Sequence, residues 1–159
     1  TGFSPGENGV ANYRERRHFP YARQDLFGLV ADVERYPEFL PGWLEVNVMD
    51  AEVNHKRVHQ VFGMGPVRID FLSQADFSPP ETIHIHSDDN PFQILDIAWQ
   101  FAAVGEHTTE VSLNITVELR PIIFQQHLES WFSKSASLIL AAFERRAATL
   151  YPDTPQTQA

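Results

Sequence analysis

"VSLNITVELRPIIFQQHLESWF" (Val111–Phe132) changes its hydrophobic period at a single proline, Pro121. Before it, Val111, Leu113, Ile115, Val117 and Leu119 alternate with Ser112, Asn114, Thr116 and Glu118. A period of two is that of a strand with one buried and one solvated face, as antiparallel sheets have. After it, Phe124, Leu128 and Trp131/Phe132 begin a stripe that continues through Ser135, Ile139, Phe143, Ala147 and Leu150. That is helical spacing, and Pro121 suits a first helical position, where its missing N–H is no loss. The spacing predicts one helix over 121–151, about 45 Å long at about 1.5 Å per residue. This is longer than cover for one sheet requires.

Upstream, the alternation recurs in Leu44, Val46 and Val48, in Val67, Ile69 and Phe71, and in Leu95, Ile97, Trp99 and Phe101. Turn signals at Gly63–Pro66, Pro79–Pro80, Asp88–Pro91 and Gly105–His107 separate these runs at hairpin distances. Six strands follow from this pattern. Residues 13–19 (YRERRHF) read as a further, polar edge strand, for about seven in all. Its Arg14, Arg16 and Arg17 discourage edge-to-edge pairing, which favours a monomer.

Between that strand and the sheet lie two short helical segments. In YARQDLFGLVADV, Leu26, Phe27, Leu29, Val30 and Val33 share one helical face, which predicts a helix to about Asp32. VERYPEFLPGW (Val33–Trp43) then places Tyr36, Phe39, Leu40 and Trp43 around Pro37 and Pro41. Two prolines so close exclude a regular helix or strand, yet the apolar content is that of a core. The segment is either a staple holding the helices on the sheet or a lid over an apolar tunnel. The whole order predicts an α+β fold, a curved antiparallel sheet gripping a long C-terminal helix and enclosing a cavity.

With 159 residues and 43% apolar content, the chain is expected to form one domain over 13–151. Residues 1–12 are expected to be flexible and 152–159 a disordered tail. Twelve Phe and three Trp make the apolar volume unusually aromatic, suiting a thick core or an aromatic-walled cavity. A formal charge of −9 disfavours direct contact with nucleic acid, whose phosphates bind through Lys and Arg. Without cysteine there are no disulfides, thiolate ligands or thiol nucleophiles. No apolar run approaches the length of a membrane span, and no secretory leader is visible. The expectation is a cytoplasmic protein.

His84 and His86 sit one strand period apart beside Asp88 and Asp89. Ile83 and Ile85 carry the buried phase, so both imidazoles face solvent, and no third ligand is fixed by spacing. No metal is expected. His55, His59, His107 and His127 are scattered, and Arg68 and Asp70 share an outer sheet face. Common nucleophile and phosphate-binding motifs are absent, so no catalytic residue is assigned.

The motifs resemble those of the coenzyme Q-binding proteins and the ribosome-association toxins, within the polyketide cyclase/START-like (SRPBCC) superfamily. The matching stretches are Leu29–Trp43, Asn90-Pro91-Phe92, Trp99-Gln100-Phe101, and Ala142-Phe143 with Arg146-Ala147 and Tyr151. They lie in order across residues 15–151. The resemblance implies a helix-grip fold, like that of START domains and birch-pollen allergens, around a tunnel for a hydrophobic molecule. In the coenzyme Q-binding group this implies ubiquinone or a related polyprenyl lipid, carried in support of respiratory electron transport. No cofactor is required beyond such a bound lipid. Contact with the membrane would be transient and peripheral.

The tunnel and lid residues expected on this basis are Tyr36, Phe39, Leu40, Trp43, Phe62, Phe71, Trp99, Phe101, Leu113, Phe124, Leu128 and Phe132. Small Ser133, Ser135 and Ser137 leave space along the helix. Two other readings stay open: a polyketide cyclase/aromatase-type enzyme, and a toxin-like inhibitor of ribosomal subunit association. The family commonly has Cys where this chain has Trp43, beside the presumed entrance.

Overall fold

The computed structural model describes residues 2–5, 10–135 and 137–151, and the side chains of 10–131 and 137–151. Eight strands form one antiparallel sheet: β1 (Gly2–Pro5), β2 (Ala11–Phe19), β3 (Trp43–Glu52), β4 (His55–Met64), β5 (Val67–Ser78), β6 (Thr82–Ser87), β7 (Phe92–Gly105) and β8 (Thr108–Leu119). The helices are α1 (Arg23–Ala31), a 3-10 helix over Val33–Glu38, α2 (Ile122–Ser135) and α3 (Ser137–Leu150). The expected single helix over 121–151 thus appears as α2 and α3, with residue 136 outside the described residues. The expected tail, 152–159, also lies outside them.

The strand order is β1-β2-β8-β7-β6-β5-β4-β3. Strands β3 to β8 form a meander of hairpins, and β2 then pairs with β8 at the far side. Consecutive β2 and β3 therefore stand near opposite edges of the sheet. Residues 20–42 must cross between those edges, and they do so as α1 and the 3-10 helix. This topology puts the proline-bound segment over the buried face, where α1 meets β7 and α3.

Two expectations about the edges are corrected. Gly2–Pro5 is a strand on β2 rather than part of a flexible lead-in, so the sheet has eight strands. β2 begins at Ala11 and is no edge over Ala11–Arg14, which β1 covers; Glu15–Phe19 has no partner strand on that side among the described residues. The cations there are paired, Arg17 with Glu15 and, at 3.9 Å, with Glu144.

β5 and β8 bury alternate residues as their sequences require. Leu44 does not follow its run. An irregularity in the β3–β4 ladder between Trp43 and Glu45 shifts the phase, leaving Leu44 48% exposed while Trp43 and Val46 turn inward. A bulge inserts one unpaired residue, which reverses the sidedness of its neighbours. No helix of the described residues is long and apolar enough to cross a membrane.

Candidate functional site

The Val33–Trp43 segment is anchored at several points. Tyr36 is buried, and its hydroxyl donates to the carbonyl of Val30. Burial raises the pKa of this phenol, so it stays protonated. Its ring meets Phe39, Trp43 and Phe143 edge to face at 6.2, 6.0 and 5.6 Å. Phe39 reaches Phe143 at 5.2 Å and lies 5.1 Å beneath the Arg146 guanidinium. The same Arg146 donates to Glu38 at 2.7 Å. Arg35 and then Arg146 hold the Glu38 carboxyl below the ordinary carboxylate range. The staple is thus present, whatever else the segment does.

Phe143 also closes one end of the interior. It packs on Trp99 at 5.1 Å, Trp99 stacks on Phe101 at 6.0 Å, and Phe27 of α1 meets Phe101 at 5.6 Å. Leu113 pairs with Trp99 in register and is buried. Aromatic side chains from α1, α3 and β7 fill this end.

The other end is hollow. A cavity of about 80 Å³ lies between β4–β8, α2, α3 and the proline-bound segment. The wider space among the same side chains, counted out to solvent, is about 800 Å³; the smaller figure limits what fits in this conformation. β4 supplies Val58, Gln60, Phe62 and Met64, and β5 supplies Ile69, Phe71, Ser73 and Ala75. Ser73 and Ala75 take inward positions where larger side chains would fill the space. Phe92, which follows the Asn90–Pro91 turn, joins the wall and meets Phe71 at 4.7 Å. Leu128, Trp131 and Ile139 close it from the helices.

One side of the cavity is an aromatic ladder. Trp43 meets Phe62 at 4.9 Å, and Phe62 meets Trp131 at 5.1 Å. All three are only partly buried, so the ladder runs from the cavity wall to the surface. Gly42 permits this packing. Its φ is +93°, and a Cβ there would stand 2.5 Å from Phe62 Cε1.

Of the residues expected around a tunnel, Tyr36, Trp43, Phe62, Phe71 and Leu128 line the cavity. Trp99, Phe101 and Leu113 do not; they belong to the filled end, because Phe27 and Phe143 occupy the space before them. Phe39 and Leu40 hold the segment down rather than face the cavity, and Phe124 packs on the core beside it. The side chain of Phe132 lies outside the described residues, as do those of Ser133 and Ser135. Ser137 is exposed.

Among the lining residues outside the expected set, two are polar: Gln60 and Ser73. Both are buried, and Trp43 Nε1 donates to Gln60 Oε1 at 2.9 Å. Gln60 Nε2 donates to Ser73 Oγ at 2.8 Å, and Ser73 Oγ to the Val58 carbonyl at 3.3 Å. The signal was available: each is a polar residue on the inward phase of a strand otherwise apolar there. Among the described residues, no Asp, Glu, Lys, Arg or His lines the cavity. His127 is not among its lining residues either.

On the outer sheet face, His84 and His86 do point to solvent, stacked at 5.2 Å. Strand register supplies the third donor that spacing alone did not. Asp76 stands opposite His84, and ligand atoms of Asp76, His84 and His86 lie within 4.8 Å of one another. His55 at 2.7 Å and His86 at 3.4 Å pair with Asp76, and His84 pairs with Asp96. His55 foremost holds the Asp76 carboxyl below its ordinary range. His59 pairs with Asp70, and Arg68 is exposed.

Residues 19–144 match the model of the family described as polyketide cyclase / dehydrase and lipid transport. The ribosome association toxin RatA of Pseudomonas aeruginosa is 31% identical over 132 residues, 83% of this chain and 92% of that protein. The mitochondrial coenzyme Q-binding protein COQ10 of Dictyostelium discoideum is 22% identical over 139 residues, 85% of this chain and 68% of that protein. The crystal structure of the Zhui aromatase/cyclase from Streptomyces sp. R1128 superposes with a TM-score of 0.76 at 14% identity, covering 87% of this chain and 93% of that one. That likeness extends the expected helix-grip, START-like architecture to the described residues. On the span of the family match and the identity to RatA, the chain belongs to the polyketide cyclase / dehydrase and lipid transport family.

Proposed function

We propose that the chain binds a neutral hydrophobic molecule in the β4–β8 cavity and acts as its carrier, not as a catalyst. The observation that supports this reading is the composition of the walls. Among the described residues they are apolar and aromatic apart from one Gln–Ser pair, and Tyr36 is their single titratable residue. A cyclase must orient a reactive polyketone and move protons, which requires acid and base groups within reach of it. A carrier requires only an apolar space and a mouth that opens.

The ligand class proposed is a polyprenyl quinone such as ubiquinone, carried for respiratory electron transport, with no further cofactor. A cavity of about 80 Å³ is below the roughly 150 Å³ of an engineered apolar site that holds benzene. Binding therefore needs the Trp43–Phe62–Trp131 ladder to part, with a prenyl tail leaving through that gap. Such a carrier would work as a monomer on the cytoplasmic side, touching the membrane transiently. Organic extraction of the purified protein followed by mass spectrometry tests this. A stoichiometric quinone supports it, and extracts without quinone or other lipid, from protein expressed in quinone-replete cells, overturn it.

The 31% identity to RatA favours a second reading, toxin-like inhibition of ribosomal subunit association. With a net charge of −9, contact through ribosomal proteins is the route that charge allows. Sucrose-gradient profiles of ribosomes with and without the purified protein test it; an unchanged fraction of joined subunits removes this reading.

A further inference from the structure

The buried Gln60 carboxamide has an orientation that its neighbours dictate. An indole N–H can only donate, so the Gln60 atom 2.9 Å from Trp43 Nε1 is the oxygen. The amide nitrogen therefore faces Ser73 Oγ, at 2.8 Å. Ser73 gives its one proton to the Val58 carbonyl and so receives from Gln60. This uses one of the two amide N–H groups. The second has no partner among the described residues, although Gln60 is only 8% exposed and lines the cavity.

A buried donor without an acceptor is costly, and most such groups in folded proteins are satisfied by protein, water or ligand. Resting on the carrier reading, we propose that Gln60 Nε2 is the polar anchor of the cavity. It takes an apolar, uncharged ligand bearing one acceptor oxygen, a quinone or ketone carbonyl or an ether, and places that oxygen at the amide. An anionic headgroup is selected against, since no cation among the described residues lines the cavity and one N–H is poor compensation for a desolvated charge. Trp43 is what makes the anchor directional. A cysteine at that position has only a weak S–H donor with which to hold the carboxamide oxygen, and the amide would be free to flip.

The test pairs two probes of similar shape, a decyl-substituted benzoquinone and decylbenzene, titrated against the full chain by tryptophan fluorescence quenching. The variant is Gln60→Leu, which keeps the volume. Gln60→Leu is expected to weaken the quinone about tenfold and to leave decylbenzene unchanged or tighter. Equal weakening of both probes by Gln60→Leu, or no change in either, overturns the anchor while leaving the apolar cavity intact. Loss of folding in Gln60→Leu, seen by circular dichroism, shifts the decision to Trp43→Phe. There the ratio of quinone to decylbenzene affinity must fall about threefold or more, and an unchanged ratio overturns the anchor. If neither probe binds the unaltered chain, the carrier reading fails and the anchor fails with it.

Discussion

Arg146 of α3 donates to Glu38 at 2.7 Å while its guanidinium covers the ring of Phe39 at 5.1 Å. These contacts join two motifs that lie 108 residues apart in the chain. Glu38 also accepts from Arg35 at 2.9 Å, so the carboxylate bridges the proline-bound segment and the C-terminal helix. The segment that tops the cavity is therefore tied to α3 by one carboxylate and one aromatic face.

Removing the Arg146 side chain leaves Phe39 uncovered and Glu38 with Arg35 alone. Arg146→Ala should destabilise the fold by about 1 kcal/mol, from a lost cation–π contact and stem packing. Urea unfolding measures this. Hydrogen exchange should rise selectively at the amides of Tyr36–Leu40; a rise spread evenly over the sheet counts against a local tie.

Glu38 gives the tie a pH dependence. Its folded pKa lies below the ordinary 4.5, so its contribution is present above the unfolded value and is lost as pH falls through the folded one. Wild type should therefore melt above Glu38→Gln at neutral pH, with the gap closing in acid below pH 4.5. A gap that widens on acidification contradicts the assignment. The group is exposed, and raised salt should shrink the gap as well.

At Gly42 a side chain meets two obstacles, a φ of +93° and the Phe62 ring. Gly42→Ala should cost about 1–2 kcal/mol from the backbone alone. Displacement of Phe62 should also shift the emission of Trp43 and Trp131, which flank it. Unchanged emission would show that the ladder tolerates the added carbon.

Ala75 faces the cavity and is 1% exposed. Ala75→Leu should fill the hollow end, weakening binding of decylbenzene at least tenfold. Stability should hold or rise, because the added methylenes enter empty space rather than packed atoms. A melting temperature that falls while probe binding persists would locate the cavity elsewhere.

Much of this molecule was legible along the chain because hydrophobic period is a local property. The alternation in Val111–Leu119, the stripe beyond Pro121 and the short helix of Leu26–Val30 each report a buried face, and each became the element its period specified. The proline-bound stretch was legible as a short helical segment too proline-rich for a regular helix, and Val33–Glu38 is a 3-10 helix. The motif resemblance placed the cavity in an α+β helix-grip fold, which the architecture bears out.

Pairing and filling were decided elsewhere. Leu44 faces out because a bulge, set by the β3–β4 register, reverses the local sidedness. Asp76 joins His84 and His86 because adjacent strands align them. Trp99, Phe101 and Leu113 have the same inward period as Phe71, yet they are packed solid because Phe27 and Phe143 arrive from distant helices. Which inward residues line a hollow depends on the volumes supplied by other elements, and no single strand carries that sum. The sequence by itself determined which faces are buried; only the tertiary structure decided which of them meet, and where space remains between them.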